Sequence, residues 1–277
     1  MDLSLIIVTY NSASHITGLL DSIKKSKDKL KKEIIIIDNA SADNSADLAS
    51  KHSLKPTVIR SKSNLGFSKA INQGIKKSTG DYLMLLNPDT RLVGNCLSAL
   101  YQFAQKTRPL GAVAPRLQDL NGKPQPSVFR FPTLLNAFRQ YFLGHKNRFG
   151  KYLPPNKTTT VDVAVMAAFL LPRTTIKTVG LLDERFFLYY EDIEFCKRLK
   201  KASLPIYYYP AAKVKHAHGA SGHFKSHLDS PLLKSAQIYH GETYSNLLNL
   251  TLLLGQKWQK ITTKSLLNRL SSFNSEN

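Results

Sequence analysis

Cysteine is nearly absent from this chain: among 277 residues only Cys96 and Cys196 occur. So low a count supports neither a disulfide framework nor a cysteine metal cage, and a reducing compartment is the simpler reading. No basic stretch with a small-residue cleavage site opens the sequence. Met1 and Asp2 run straight into a strand-like segment, so we expect a cytoplasmic protein. Long apolar runs are missing as well. The run "LLNLTLLL" at 247–254 is far below the roughly 18 residues a membrane span requires. Acidic residues are scarce, with 19 Asp and Glu against 39 Lys and Arg, a net charge of +20. That imbalance says nothing about fold, but it points to polyanionic or phosphorylated partners or to an anionic membrane surface.

Several catalytic signatures are also absent. No GxGxxG follows the first strand-like run, which argues against a nicotinamide or flavin enzyme. No GxSxG elbow occurs, which argues against an α/β-hydrolase, and neither CxxC nor HExxH is present. The segment "SNLGFSKAINQG" (63–74) lacks the spacing of a phosphate-binding P-loop. No fixed-period repeat and no low-complexity tract is found.

What is present is a globular composition, 42% hydrophobic and 21% charged, arranged in alternation. Short β-branched or leucine-rich runs at 3–10, 33–38, 56–61 and 81–87 suit buried parallel strands. Between them, helical periodicity covers about 14–27, 43–52, 67–77 and 94–107. The alternation implies an α/β fold with a mainly parallel sheet, flanked by helices and joined by right-handed crossovers. Ligands of such sheets bind beyond the carboxyl ends of the strands. Those ends are polar here: Thr9, Tyr10 and Asn11 after the first run, Asp38 and Asn39 after the second, Asn64 beyond the third, and Asn87 and Asp89 after the fourth. Asn and Asp also serve as caps and turn formers, but four polar ends converging on one edge favour a binding site.

Beyond residue 123 the pattern breaks. Residues 123–157 hold seven Lys or Arg and no Asp or Glu, interleaved with Phe129, Phe131, Phe138, Tyr141, Phe142 and Phe149. This stretch reads equally as an acceptor loop, a membrane-surface patch, a nucleic-acid contact or a solvated basic insertion. "VDVAVMAAFLLPR" (161–173) reads as a strand or strand pair, and "IYYYPAAKVKHAHGASG" (206–222) as a strand running into a loop that carries His216, His218, Gly219 and Gly222. From about 231 to 270 the chain is helical in character, leucine-rich on one side, with Lys257, Lys260, Lys264, Arg269 and Trp258. A basic amphipathic helix of this kind can lie on an anionic membrane, or dock on the catalytic domain or a second subunit.

Two side chains invite chemistry. Glu191 and Asp192 follow "FFLYY", and a carboxylate beside rings and a second negative charge has its pKa raised, which makes it a better proton acceptor at neutral pH. The same acids would also favour the start of a helix. Asp89, fixed after a buried strand, can hold a divalent cation that bridges phosphate oxygens, with His216 as its best remote partner.

Four blocks then carry a family likeness: "LIIVTYNS" with "IIIIDNASADNS", "NLGFSKAINQGIKKSTGDYLMLLNPDT", "VGLLDERFFLYYEDIEFCKRLKKA" and "VKHAHGASG". In order and spacing they resemble the family 2 inverting glycosyltransferases of the GT-A fold, and within them the bacterial rhamnosyltransferase-like branch that builds surface polysaccharides. The resemblance covers about residues 3–222. It implies a GT-A catalytic domain over 1–225, with a nucleotide-binding half (1–115) and an acceptor-binding half (116–225); the C-terminal fifty residues lie outside it, and their own pattern makes 226–277 a basic amphipathic helical extension. It implies that Thr9, Tyr10, Asp38 and Asn64 hold the nucleoside, with Asp38 accepting from the imide N–H of uracil or thymine. Asn87 and Asp89 stand at the family's Asp-x-Asp metal motif, Asn87 in place of the first carboxylate. Asp192 matches the general base with Glu191 beside it, and His216 matches a residue near the metal and diphosphate. The implied cofactor is Mg2+ or Mn2+.

The implied donor is a dTDP- or UDP-sugar, dTDP-rhamnose among them, and the implied acceptor a saccharide or lipid-linked acceptor. The setting would be the cytoplasm or, peripherally, the inner face of the membrane; a homodimer is open. Two departures fall in "AVMAAFLLPR", where relatives usually have a glycine near Ala167 and a further basic residue near Pro172. Two other classes compete. A sugar-nucleotide nucleotidyltransferase should carry a glycine-rich basic signature that "VTYNSASH" lacks. A nucleic-acid-binding protein would explain the charge, yet it shows no basic–aromatic recognition motif and leaves "YYED" without a role.

Overall fold

A computed structural model describes residues 1–26, 28–217 and 231–273, and the side chains up to residue 262 within them. His218, Gly219 and Gly222 lie outside the described residues, as do the side chains of Lys264 and Arg269.

The chain begins with β1 (Leu3–Thr9), α1 (Ala13–Lys25), β2 (Lys32–Asp38), α2 (Ser45–Ser50), β3 (Thr57–Arg60), α3 (Phe67–Lys77) and β4 (Tyr82–Leu86). Every residue of β1 and β4 is buried, as expected for strands covered on both faces. Leu3, Leu5 and Ile7 face one hydrophobic core with Ile16, Leu19 and Leu20 of α1, while Ile6 and Val8 face a second with Ala70, Ile71 and Ile75 of α3. Strands β3, β2, β1 and β4 pair in that order, all parallel, and the β1/β2 register sets Thr9 opposite Asp38.

The second half continues with β5 (Thr90–Val93), α4 (Cys96–Lys106), β6 (Ala112–Gln118), β7 (Val128–Phe129), α5 (Leu134–Tyr141), β8 (Thr159–Val161), β9 (Val163–Ala164), β10 (Ala168–Pro172), α6 (Arg173–Val179), α7 (Glu191–Lys201) and β11 (Ile206–His216). The sheet extends from β4 through β10, β6 and β11 to β5. The parallel character holds across the first four strands and for β6 with β11, whereas β10 enters antiparallel between β4 and β6. The chain arrives at β10 on the edge where β4 ends: the Asn87 N–H donates to the Ala167 carbonyl at 2.9 Å, so the strand can only run back.

The segment 161–173, read as one strand or strand pair, holds the two strands β9 and β10, with β8 ending at its first residue, Val161. Strands β5 and β6 escaped the sequence reading. β5 has four residues, and β6 contains Pro115, which sits where the register with β11 breaks between Tyr209 and Lys213. Pro172 ends β10 opposite Tyr82, and Arg173 binds the Gly80 carbonyl at 2.6 Å and the Ser78 hydroxyl at 2.9 Å. That departure from the family pattern therefore lies on the edge away from the polar strand ends.

The basic stretch is not a bare loop. Thr133 caps α5 by accepting from the Asn136 N–H at 3.2 Å, and α5 packs against the C-terminal helix α9 (Glu242–Phe273), on which α8 (Pro231–His240) also packs. The Tyr244 hydroxyl accepts from the Leu134 N–H at 3.0 Å, and Gly255 of α9 faces Tyr141 so closely that a Cβ there would stand 2.5 Å from that of Tyr141. Helix α8 docks on the segment just before α7: the Ser235 hydroxyl donates to the Leu188 carbonyl at 2.9 Å, and the Tyr239 ring lies 5.4 Å from that of Tyr190. Among the described residues no helix is long and apolar enough to cross a membrane. Cys96 and Cys196 are both buried free thiols; burial pushes Cys96 up to about 12 and Cys196 higher still, so neither is poised to react.

Candidate active site

The carboxyl ends of β1, β2 and β4 share one edge of the sheet. At that edge Thr9 and Asp38, adjacent across the β1/β2 register, are buried, and neither Thr9 Oγ1 nor Asp38 Oδ1 has a hydrogen-bond partner among the described residues. A buried polar atom without a partner is costly, so two in register mark a place where a ligand completes the bonding. Asp38 Oδ2 is used by the Ser41 N–H at 3.2 Å, which fixes the carboxylate plane and leaves Oδ1 to accept. Tyr10 stands beside them, 49% exposed, with a ring available to cover a ligand.

Asn64 is already engaged: its Oδ1 accepts from Asn39 Nδ2 at 2.7 Å and from the Gly66 N–H at 3.0 Å. The hub of this corner is Asn39, buried at 3%, whose Oδ1 also takes the Leu65 N–H at 2.8 Å. From the sequence, Asn39 was one more polar strand end. Its neighbour Gly66 was read only as a failed P-loop, yet it has φ +81° and ψ 171°, backbone that glycine alone adopts readily.

Directly after β4, Asn87 holds a tight turn: its carbonyl accepts from the Thr90 hydroxyl at 2.7 Å and the Thr90 N–H at 3.2 Å. The turn presents Asp89, buried at 3%, whose own carbonyl takes the Ala217 N–H at 3.0 Å. Asp89 Oδ1 lies 3.4 Å from Nε2 of His216 at the end of β11. Gln125, not singled out from sequence, orients that histidine, donating to its carbonyl at 2.9 Å and lying 3.4 Å from its Nδ1. Burial acts to raise the Asp89 carboxyl, but the His216 ring and the charge of His15 outweigh it and hold Asp89 below the ordinary carboxylate range.

Among the described residues no group of three or more His, Cys, Asp or Glu gathers. Among the described residues, the groups that could hold a cation here are Asp89 and His216. Cations such as Mg2+ are commonly held by one or two carboxylates together with substrate phosphates and waters, and a buried carboxylate oxygen facing an imidazole nitrogen at 3.4 Å fits that mode.

The carboxylate pair opens α7. Two consecutive residues, Tyr189 (φ 70°) and Tyr190 (φ 65°), are left-handed immediately before Glu191, a conformation that persists only where the surroundings hold it. The corner is tied to the strand edge through the Phe67 N–H, which donates to the Phe187 carbonyl at 2.7 Å beside Gly66. It is tied to the C-terminal helices through Ser235 and Tyr239. The helix-start expectation for the pair holds, since the acids occupy the first turn and Arg198, Lys200 and Lys201 the last.

The carboxyls of Glu191 and Asp192 are both raised, Glu191 by burial and then by the Asp192 charge, Asp192 by burial. Lys151, from the basic stretch, opposes both shifts. The two differ in support. Asp192 Oδ1 accepts the Ile193 N–H at 2.8 Å, whereas Glu191 Oε2 is buried without a donor. Asp192 is therefore the member better able to carry the negative charge.

A model of Glycosyl transferase family 2 matches residues 4–170. The N-acetylglucosaminyl-diphospho-decaprenol L-rhamnosyltransferase of Mycobacterium tuberculosis is 26% identical over 269 residues, spanning 88% of this chain and 85% of that protein. A low-salt glycan biosynthesis hexosyltransferase of Haloferax volcanii is 28% identical over 216 residues, covering 74% of this chain and 64% of its own. Among solved structures, a mannosyltransferase from Pyrobaculum calidifontis in complex with GDP-Man and Mn2+ superposes with a TM-score of 0.62 at 16% identity, over 98% of this chain and 79% of that one. GalNAc-T7 with UDP, GalNAc and Mn2+ gives 0.64 at 18% identity over 85% of this chain, which spans 46% of the GalNAc-T7 chain. These likenesses show the GT-A fold. With the family model covering more than half of the sequence, this protein belongs to the family 2 glycosyltransferases.

Proposed function

We propose that the protein transfers a sugar from a dTDP- or UDP-sugar, dTDP-rhamnose foremost, to a saccharide or lipid-linked acceptor, with inversion, in surface polysaccharide synthesis. The observation that carries this reading is the set of buried oxygens at or just beyond the ends of adjacent parallel strands: Thr9 Oγ1 and Asp38 Oδ1, without donors among the described residues, and Asp89 Oδ1, which faces His216 Nε2 at 3.4 Å. Asp38 Oδ1 accepts the imide N–H of the pyrimidine, Thr9 and Tyr10 border the nucleoside, and Asn64 shapes the pocket wall through Asn39. Residues 1–115 form the nucleotide half of the catalytic domain, residues 116–225 the acceptor half, and residues 226–277 the helical extension.

Asp192 accepts the proton of the acceptor hydroxyl as its oxygen attacks the anomeric carbon from the face opposite the diphosphate. The anomeric C–O bond breaks with its electron pair leaving on the nucleoside diphosphate. Glu191, the less supported carboxyl of the pair, stays protonated and orients the acceptor. Asp89 and His216 would hold Mg2+ or Mn2+, which supplies Lewis-acid charge to the diphosphate, with Asn87 fixing the turn that presents Asp89. Rhamnosyl transfer to a diphospho-lipid acceptor is the activity named for the mycobacterial relative, and it suits a chain working at the inner face of the membrane.

Calorimetric titration with UDP, dTDP and GDP, each with and without Mg2+ or Mn2+, tests the donor half. Metal-dependent binding of a pyrimidine diphosphate is expected. Absence of binding by all three in folded protein would refute the reading.

A further inference from the structure

Helix α9 is turned inside out. Its inward face is made of Ser245, Leu248 and Gly255, while Leu247, Leu250, Leu254, Trp258 and Ile261 recur at spacings of three and four on the other side, each at least 50% exposed. At 1.5 Å per residue this outward stripe is about 21 Å long. A water-facing helix normally shows the reverse arrangement, and a contiguous exposed apolar strip of this size marks an interaction surface. The partner helix α5 adds Leu135 and Phe138, 55% and 47% exposed.

Charge selects the occupant. Past Glu242, the first residue of α9, the two packed segments contain no acid: none occurs from 120 to 161 or from 243 to 275, while the first holds seven Lys or Arg and the second four. Lys257 and Lys260 lie beside the stripe, and Trp258 sits within it. A second copy brought face to face would set the same acid-free surface against itself in a chain of net charge +20, which opposes self-association. We propose that the outward face of α9, with the adjoining surface of α5, docks on an anionic phospholipid surface, the leucines and Trp258 entering the headgroup boundary and the lysines meeting lipid phosphates. Since α8 joins α9 and grips the Leu188–Tyr190 corner, docking would also set the catalytic pair at a fixed height over the lipid.

Trp258 is the single tryptophan of the chain, so its fluorescence reports this face alone. The full-length protein is mixed with phosphatidylglycerol or phosphatidylcholine vesicles, and sedimentation and Trp emission are read at low and high salt. With phosphatidylglycerol we expect co-sedimentation and a blue shift, and a partition coefficient at least about tenfold lower with phosphatidylcholine or in 1 M salt. The double variant Leu250→Glu, Leu254→Glu should lose the partition by a similar factor while its dTDP or UDP titration stays unchanged, which separates this test from the transferase reading. Wild-type protein that neither sediments nor shifts with phosphatidylglycerol overturns the proposal. So does light scattering that shows a dimer which the double variant converts to monomer, because the face would then belong to a second copy.

Discussion

Replacing Gly66 by alanine tests the link between the nucleotide edge and the catalytic corner. At φ +81° and ψ 171° the alanine pays for a conformation only glycine takes freely, about 1–3 kcal/mol. Its Cβ would also stand 2.6 Å from the Phe187 carbonyl oxygen and 2.9 Å from Phe187 Cα, backbone atoms that cannot swing aside. To restore an ordinary 3.4 Å contact the corner must move by roughly 0.8 Å, which disrupts the Phe67–Phe187 hydrogen bond at a further 0.5–1.5 kcal/mol or so. The total of about 2–4 kcal/mol should appear as a lowered urea midpoint. Because Glu191 and Asp192 follow this corner directly, a displacement near 1 Å should reduce kcat by as much as about 100-fold, with a smaller change in donor affinity. Unfolding curves, donor titration and a transfer assay on one preparation separate the effects. A variant of wild-type stability and kcat would refute the coupling, as would a loss of donor affinity equal to the loss of kcat.

Other outcomes follow from the same geometry. Both carboxyls of the Glu191–Asp192 pair are raised, by burial first, so their stabilising contribution is complete below the ordinary carboxylate range and is lost as pH climbs through the raised values. Glu191→Gln should therefore flatten the fall in stability between about pH 4 and 9, and an unchanged slope in urea midpoints would contradict the burial argument. Asp38→Asn presents an amide where the pyrimidine imide needs an acceptor, and the unpaired donor should weaken dTDP or UDP binding by roughly 1–3 kcal/mol in calorimetry. Equal affinity for variant and wild type would remove Asp38 from the nucleoside site.

Much of this molecule is legible from its sequence because buried parallel strands write themselves as apolar runs: "LIIVT" and "LMLL" have no other comfortable place. The polar residues ending those runs share one edge for the same reason, since parallel strands point one way. What could not be read depends on distant pairing. Asn39 looks like any turn former until Asn64 and Gly66 come back to it from 25 and 27 residues away. Gln125 reaches His216 across 91 residues, and the charge of Lys151 acts on a carboxylate pair some 40 residues further along the chain. The antiparallel β10 was hidden because an apolar strand does not record its direction. The tail reads as amphipathic from its spacing, but only packing shows which face of α9 is turned inward.

The role proposed for Asp192 is that of the base in an inverting transfer on a nucleoside-diphosphate sugar. Asp192→Asn probes it, measured for donor affinity by calorimetry and for transfer by single-turnover assay, with the anomeric configuration of the wild-type product read by NMR. We expect an inverted product, donor affinity within about twofold of wild type, and transfer reduced by about 100- to 10,000-fold, the range for a lost general base. Retained transfer in the variant, or a product with retained configuration, would contradict it.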